Sequence, residues 1–280
     1  MLQVHIFDLH CHSNVSDGVL TPQALAARAK QNGVDVWALT DHDEVDGVAR
    51  ARAAAADNGL QFVAGVEISV TWAAQTVHIV GLQIDEKNNA LLQGLQATRS
   101  GREQRARDIA AQLAAHGITD AYEGALKYVG NPDLISRTHF ARYIVEMGHQ
   151  PDIGAVFRHY LSEGKPGYMP HRWATLTEAV GWIRGAGGIA VIAHPGRYKY
   201  SPLAFDAFFD EFKQLGGAAI EVVTGSHTVD QYPLYAKVAK DYGFMASRGS
   251  DFHGPYESRV DLGGLPPLPA GVLPIWHDWT

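Results

Sequence analysis

Short apolar runs alternate with stretches of helical periodicity through the first hundred residues. Val4, Ile6 and Leu9 mark a first strand. Thr21 to Asn32 reads as a helix, with Thr21 as its cap, Pro22 in the first turn and Gly33 past its end. Val34 to Leu39 is a second strand, and Val45 to Asn58 an alanine-rich helix closed by Gly59. Leu60 to Glu67 and Thr76 to Gln83 are two more strands. Strands and helices at this spacing predict a parallel α/β sheet. Polar clusters fall at the carboxyl ends of these strands, or on the strand itself for His78. That is the face at which parallel α/β folds bind ligands.

The rhythm changes between about residues 100 and 168, where helical stripes replace strands. Ala106, Ile109, Ala110 and Leu113 form one stripe, and Phe140, Tyr143, Ile144 and Met147 another. The α/β rhythm resumes at Thr175 and Glu178, which suit a capping box. Strands follow at Ile189–Ala193, Ala218–Val223 and Phe244–Ser247, and the proline-rich last 15 residues read as an extended tail. The predicted organisation is a discontinuous α/β unit, residues 1–99 and 169–280. A small helical insertion, 100–168, lies over its face.

The insertion carries eight Lys or Arg and eight Asp or Glu, so the formal charge of -7 resides entirely in the α/β unit. Such a balance argues against nonspecific nucleic-acid binding, which rests on phosphate neutralisation. The single cysteine, Cys11, excludes an internal disulfide framework and reads as a small packed residue. No signal-peptide pattern and no apolar run of roughly 18 residues is present, so a reduced, cytoplasmic protein off the membrane is expected. Nothing implies a stable protein partner.

Fourteen histidines change the picture most. His10 and His12, two apart in an extended segment, point to the same side, as a chelating pair must. Asp17 follows on a turn closed by Gly18. Further strand ends offer Asp41, His42 and Asp43, then Glu67, His78, His194, and Asp251 with His253. Packing needs no imidazoles there, and like groups crowded without compensation are costly. Bound cations are the simplest compensation, and nitrogen and oxygen donors without thiolate suit a divalent first-row metal.

The segments Asp8-Leu9-His10-Cys11-His12 with Ser16-Asp17-Gly18, Thr40-Asp41-His42-Asp43, the Glu67 strand, Ala193-His194-Pro195 and Ser250-Asp251-Phe252-His253 together resemble the PHP superfamily, named for polymerase and histidinol phosphatase. The insertion, with Ile135-Ser136-Arg137-Thr138-His139-Phe140 and Gly164-Lys165-Pro166-Gly167-Tyr168, looks like the branch of nucleoside 3′,5′-bisphosphate phosphatases and RNA 5′-to-3′ exonucleases. The resemblance implies a distorted seven-stranded (β/α) barrel with three divalent metals, commonly Mn²⁺, with Zn²⁺, Fe²⁺ or Mg²⁺ as alternatives. It implies His10, His12, Glu67 and Asp251 at the first metal. Glu67 would bridge to a second, completed by His78 and His194. Asp17, His42 and His253 would hold the third. Asp8, Asp41 and Asp43 read as groups that orient the histidines.

A hydroxide shared by two of the cations is expected to attack a phosphate ester. Arg197 would stabilise the equatorial charge, and His227, or Asp17 through a water, would protonate the leaving oxygen. Ser136, Arg137 and His139 open a helix whose free amides and positive end suit a second phosphate. Arg102, Arg105 and Lys165 are further candidates for that anchor. A substrate with two phosphates follows: a 3′,5′-bisphosphonucleotide cleaved at its 3′-ester to nucleoside 5′-phosphate, or alternatively a 5′-phosphorylated RNA or short oligonucleotide. The charge and the short insertion favour the small molecule. A C–N-bond hydrolase is disfavoured by the lack of a lysine near the strand ends, and a metal-dependent binding module by the full ligand set. Tyr168, Trp173 and Tyr198 read as core aromatics.

Overall fold

The computed structural model describes residues 5–279. Val4, the expected start of the first strand, lies outside the described residues. Seven strands form one sheet in chain order: β1 (Phe7–Asp8), β2 (Val36–Leu39), β3 (Gln61–Trp72), β4 (Gln75–Leu82), β5 (Ile189–Ile192), β6 (Ala219–Thr224) and β7 (Met245–Gly249). Helices α1 (Pro22–Gln31) and α2 (Val48–Asp57) cross between the first three strands, and α3 (Asn89–Arg99) follows β4. After the insertion come α8 (Leu176–Gly185), α9 (Pro202–Gln214) and α10 (Gln231–Tyr242). At the seam the Leu9 amide donates to the Arg248 carbonyl (3.1 Å) and the Asp251 amide to the His10 carbonyl (2.8 Å). These bonds bring the last strand back to the first and nearly close a barrel.

The sheet is mixed, not parallel throughout. β1–β2–β3 and β5–β6–β7 are parallel, but β4 runs antiparallel to both of its neighbours. β3 and β4 form a hairpin around Ala73 and Ala74, both at positive φ (45° and 63°), as a type I′ turn requires. β3 consequently runs five residues beyond Glu67, which lies mid-strand rather than at a strand end.

Residues from one face of every strand share a core: Leu9, Val36, Ala38, Val63, Val80, Val191 and Ala219, with Phe7 and Met245 packed against it. They are the barrel's inner face, because strand side chains alternate. The proline-rich tail plugs the end away from the site: Ile275 is fully buried and Trp276 stacks on Phe7 at 4.0 Å between centroids. A larger core joins the outer face to the helices.

The insertion comprises α4 (Arg102–Ala114), α5 (Ala121–Leu126), α6 (Arg137–Glu146), α7 (Ile153–Val156) and a π turn, Phe157–Leu161. It has a separate core around Ile109, Leu113, Phe140 and Ile144, so both stripes read from the sequence contribute to one small bundle. Met147 is the exception, exposed beyond the end of α6. α6 starts with a capping box in which the Ser136 hydroxyl accepts from the Thr138 amide (3.2 Å) and His139 Nδ1 accepts from the Ser136 amide (3.0 Å). No helix among the described residues is long and apolar enough to cross a membrane.

Candidate metal centre

The chain turns into the site directly after β1. His10 and His12 lie on the segment following it, His42 just past β2, Glu67 within β3, His78 within β4, His194 past β5, and Asp251 and His253 past β7. Three of the residues involved in or bracing the site have left-handed backbone: Asp43 (φ 50°), His194 (φ 29°) and Asp251 (φ 54°). Such conformations persist where the surroundings over-determine them, and they cluster at functional sites. The close approach at the seam needs glycine, since a Cβ on Gly249 would lie 2.3 Å from the Cβ of His10.

These eight side chains and Asp17, on the turn before α1, converge in one chamber. Glu67 is at its centre, with Oε1 2.9 Å from His194 Nε2, 3.1 Å from His78 Nδ1 and 3.3 Å from His10 Nε2. Its Oε2 lies 3.0 Å from His42 Nδ1 and 3.3 Å from His12 Nε2. Asp251 Oδ1 lies 3.3 Å from His12 Nε2 and 3.5 Å from His10 Nε2. Asp17 Oδ1 lies 3.4 Å from His253 Nε2 and 3.9 Å from His42 Nε2. Burial alone would raise the Glu67 carboxyl, yet His78, His10 and His42 pull it well below the usual carboxylate range. Asp17 and Asp251 are likewise buried but held low by surrounding imidazoles. His194 is pushed down to about 3 by burial and the Arg197 charge, so it presents a lone pair.

These residues fit divalent cations. His12 Nδ1, Asp17 Oδ1, His42 Nδ1, Glu67 Oε2 and His194 Nδ1 are buried without hydrogen-bond partners, a costly state for polar atoms unless something else pairs with them. Donor atoms of His12, Asp17, His42 and His253, of His10, His12 and Glu67, and of His42, Glu67 and His78 each gather within 4.8 Å. That is the spacing of ligands around an ion.

The bracing differs from expectation. Asp8, Asp41 and Asp43 hold no imidazole. Asp8 accepts from the Ser250 and Gly263 amides, Asp41 from Ser13 and Ser16, and Asp43 from the Ser69 amide and hydroxyl and from Arg102. Each ties one site loop to another, because a short carboxylate is satisfied by amides and hydroxyls close to it. The residue that orients a histidine is Glu221 on β6, which the sequence reading missed. Its Oε1 accepts from His10 Nδ1 (2.8 Å) and its Oε2 from the His194 amide (2.6 Å). A lone acid in the apolar run Ala219-Ile220-Glu221-Val222-Val223 was the available signal.

Beside the chamber a cleft of about 120 Å³ is lined by Asp17, His42, His78, His253 and Ser136 together with Arg102, Arg105, Arg137 and Arg197. Arg102 pairs with Asp43 and lies 4.6 Å from the Trp173 ring. Arg105 donates to the Met169 carbonyl (2.9 Å) and lies 5.3 Å from the same ring. Arg137 donates to the Leu161 carbonyl (3.1 Å) and sits between Phe157 and Tyr168. Burial beside other arginines pushes Arg105 down to about 9; a bound dianion would relieve that repulsion. Trp173 is buried, but as a wall of this cleft. Tyr198 instead binds β4 to β5, accepting from the His78 amide (2.9 Å) and donating to the Ala193 carbonyl (2.8 Å). Arg197 Nη1 lies 3.2 Å from Asp251 Oδ2. A second opening, about 370 Å³, adjoins past Arg197 and His253 and is lined by Thr138, Phe157, Ser226 and Ser258.

Three candidates stand apart. Lys165 is exposed and lines neither opening. His139 is fully buried and spends Nδ1 on the capping box. His227 is buried against Tyr235, donating from Nδ1 to the Val222 carbonyl (3.1 Å) and accepting at Nε2 from the Gly196 amide (3.0 Å). With both nitrogens used it has no proton for a leaving group.

A nearly closed strand barrel with imidazoles and carboxylates massed at one rim, and arginines beside them, defines a hydrolase class that works on anionic esters through bound metals. The PHP domain model matches residues 8–162, and the chain belongs to that family. It is 49% identical over 271 residues to a 3′,5′-nucleoside bisphosphate phosphatase of Chromobacterium violaceum, covering 97% of this chain and 95% of that one. It is 40% identical to a 5′-3′ exoribonuclease of Haemophilus influenzae, covering 98% of both. Among solved structures it resembles one described as an amidohydrolase from Chromobacterium violaceum with bound sulfate and no metal, at a TM-score of 0.95 and 49% identity, covering 98% of this chain and 95% of that chain.

Proposed function

We propose that this protein hydrolyses the 3′-phosphate ester of 3′,5′-bisphosphonucleotides, releasing nucleoside 5′-phosphate and phosphate. The observation that carries the reading is the adjacency of two anion sites of different kinds, a ligand chamber at the barrel rim and an arginine cluster on the insertion side. The relatives named for bisphosphate and RNA-end substrates, and the sulfate in the solved relative, a tetrahedral dianion like phosphate, support it.

Three divalent cations, Mn²⁺ first among them, are assigned to the chamber. His10, His12, Glu67 and Asp251 would hold one, Glu67, His78 and His194 a second, and Asp17, His42 and His253 the third. Bound there, they supply a water deprotonated near neutral pH and positive charge for the phosphoryl oxygens. Arg197, held by Asp251 at the mouth of both openings, places a guanidinium beside the reacting phosphate. Asp17 stays ionised, so its role is that of ligand.

Arg137, with Arg102 and Arg105 behind it and the Ser136 end of α6 alongside, anchors the 5′-phosphate. The guanidinium matches a phosphate's paired oxygens. A 5′-phosphorylated RNA end meets the same two sites, because its first linkage is also a 3′-ester. The larger opening, continuous with the chamber, leaves room for that second reading. An Arg137→Ala variant is expected to raise KM for a bisphosphonucleotide about tenfold or more, the effect of losing a charge-assisted bond, and to leave turnover of a simple aryl phosphate nearly unchanged. Equal losses on both substrates would remove Arg137 from the anchor role.

A further inference from the structure

The insertion touches the chamber through more than its anchor arginine. Arg142, five residues along α6 from Arg137, is buried and reaches two barrel loops at once. Its Nη2 donates to the Asp17 carbonyl (2.5 Å), while Nε and Nη2 grip the two oxygens of Glu257 at 2.7 Å each. Glu257 belongs to the turn that closes behind His253: its amide donates to the Gly254 carbonyl (3.2 Å), and the hydroxyl of the next residue, Ser258, accepts from the His253 amide (2.7 Å). At the start of the same helix the Ser136 hydroxyl lies 3.3 Å from Asp17 Oδ2.

We infer that Arg142 is a positioning residue. It clamps the Asp17 and His253 loops together, so that the helix carrying the phosphate anchor also sets the spacing of the rim ligands Asp17, His42 and His253. This rests on the three-cation reading above. The physical argument is one of support. Glu67 and its imidazole partners are fixed by strands and by Glu221, whereas Asp17 and His253 stand on irregular loops outside the strands, joined in the backbone by the Val19 amide donating to the His253 carbonyl (2.8 Å). A planar, bidentate guanidinium–carboxylate pair adds a side-chain constraint to that backbone bond and ties both loops to α6. The rim group has one carboxylate to two imidazoles, the same count as Glu67, His78 and His194, but both of its histidines are partly exposed whereas His194 is buried. It should therefore be the weakest of the ion sites and the most sensitive to ligand placement. Loss of such supporting contacts typically lowers metal affinity about 10–100-fold.

The test is calorimetric titration of Mn²⁺ into the metal-free full-length protein, for wild type, Arg142→Met, Glu257→Gln and Arg137→Ala. The expected result is a weakest binding step displaced about 10–100-fold in Arg142→Met and displaced less, in the same direction, in Glu257→Gln. The tighter steps, and all steps of Arg137→Ala, stay within about twofold. Raising Mn²⁺ should restore kcat of the Arg142→Met enzyme, which a general folding defect would not allow. If Arg142→Met does not fold, Glu257→Gln decides alone. An even loss over every step, or no loss at all, overturns the clamp while leaving the three-ion reading intact. A wild-type titration with no weaker step removes the three-ion reading and the clamp with it.

Discussion

Glu221 settles which proton His10 carries. Both of its oxygens are occupied as acceptors, one from His10 Nδ1 and one from the His194 amide, so with a cation in the chamber His10 would offer it Nε2 as a lone pair. Glu221→Gln keeps the volume but offers one acceptor and one donor where two acceptors are required. The Mn²⁺ concentration for half-maximal activity is expected to rise about 10–100-fold, with the circular dichroism spectrum unchanged. An unaltered metal requirement would show that the tautomer is fixed by the ions themselves. At this scale the ligands were legible because imidazoles at strand ends are rare without a purpose. Their supports were not, because hydrogen bonds such as His10 to Glu221 join residues 211 positions apart. The commitments of His227 were hidden too, since they are to backbone groups, the Val222 carbonyl in β6 and the Gly196 amide 31 positions away. Asp41 and Asp43 flank His42 in sequence, and that adjacency suggested an orienting role their serine partners exclude.

Among the elements, α6 has the most to do. It starts from a capping box closed by His139, carries Arg137 at its first turn and Arg142 on its second, and buries Phe140 and Ile144 in the insertion core. Burial pushes His139 down to about 4, so the ring is neutral in the fold and its Nδ1 is free to accept. The unfolded chain binds a proton there near pH 6.5, and the folded chain does so only near 4. Stability must therefore fall as pH drops from about 6.5 to about 4, by roughly 3 kcal/mol at most from this residue. His139→Gln retains a side-chain acceptor at the third position, the usual capping-box partner. It is expected to reduce that acid limb in denaturant melts, to which His227 and His194 also contribute, while costing about 1 kcal/mol or less at pH 7.5. An undiminished limb would place the titration elsewhere. The α6 cap was readable from Ser136. The β3–β4 hairpin was not, because its turn is Ala73-Ala74 where Asn-Gly would announce it. Without that signal β4 reads as one more parallel strand.

Across the whole molecule, two bodies with separate cores meet over one chamber. In the proposed function the barrel supplies the donors for the ions, and the insertion the arginines for a second anion. The barrel was visible as apolar runs ending in polar clusters, and the insertion as a switch from strand to helix period with balanced charge. How the two fit was not visible. The Arg102–Asp43 pair, the Arg142 grip on Asp17 and Glu257, and the cleft walled by Trp173 arise only when distant segments are brought together. The proposed chemistry follows from that meeting, since an ester reacting at the rim and a phosphate anchored on the insertion would define one substrate length. The direct measurement is product analysis with Mn²⁺-loaded enzyme and four compounds: a 3′,5′-bisphosphonucleotide, a nucleoside monophosphate, histidinol phosphate and a 5′-phosphorylated short RNA. Phosphate release from the bisphosphonucleotide, leaving nucleoside 5′-phosphate, at a kcat/KM well above that for either monophosphate is the predicted result. Removal of the 5′-phosphate instead, or equal turnover of the monophosphates, would contradict it.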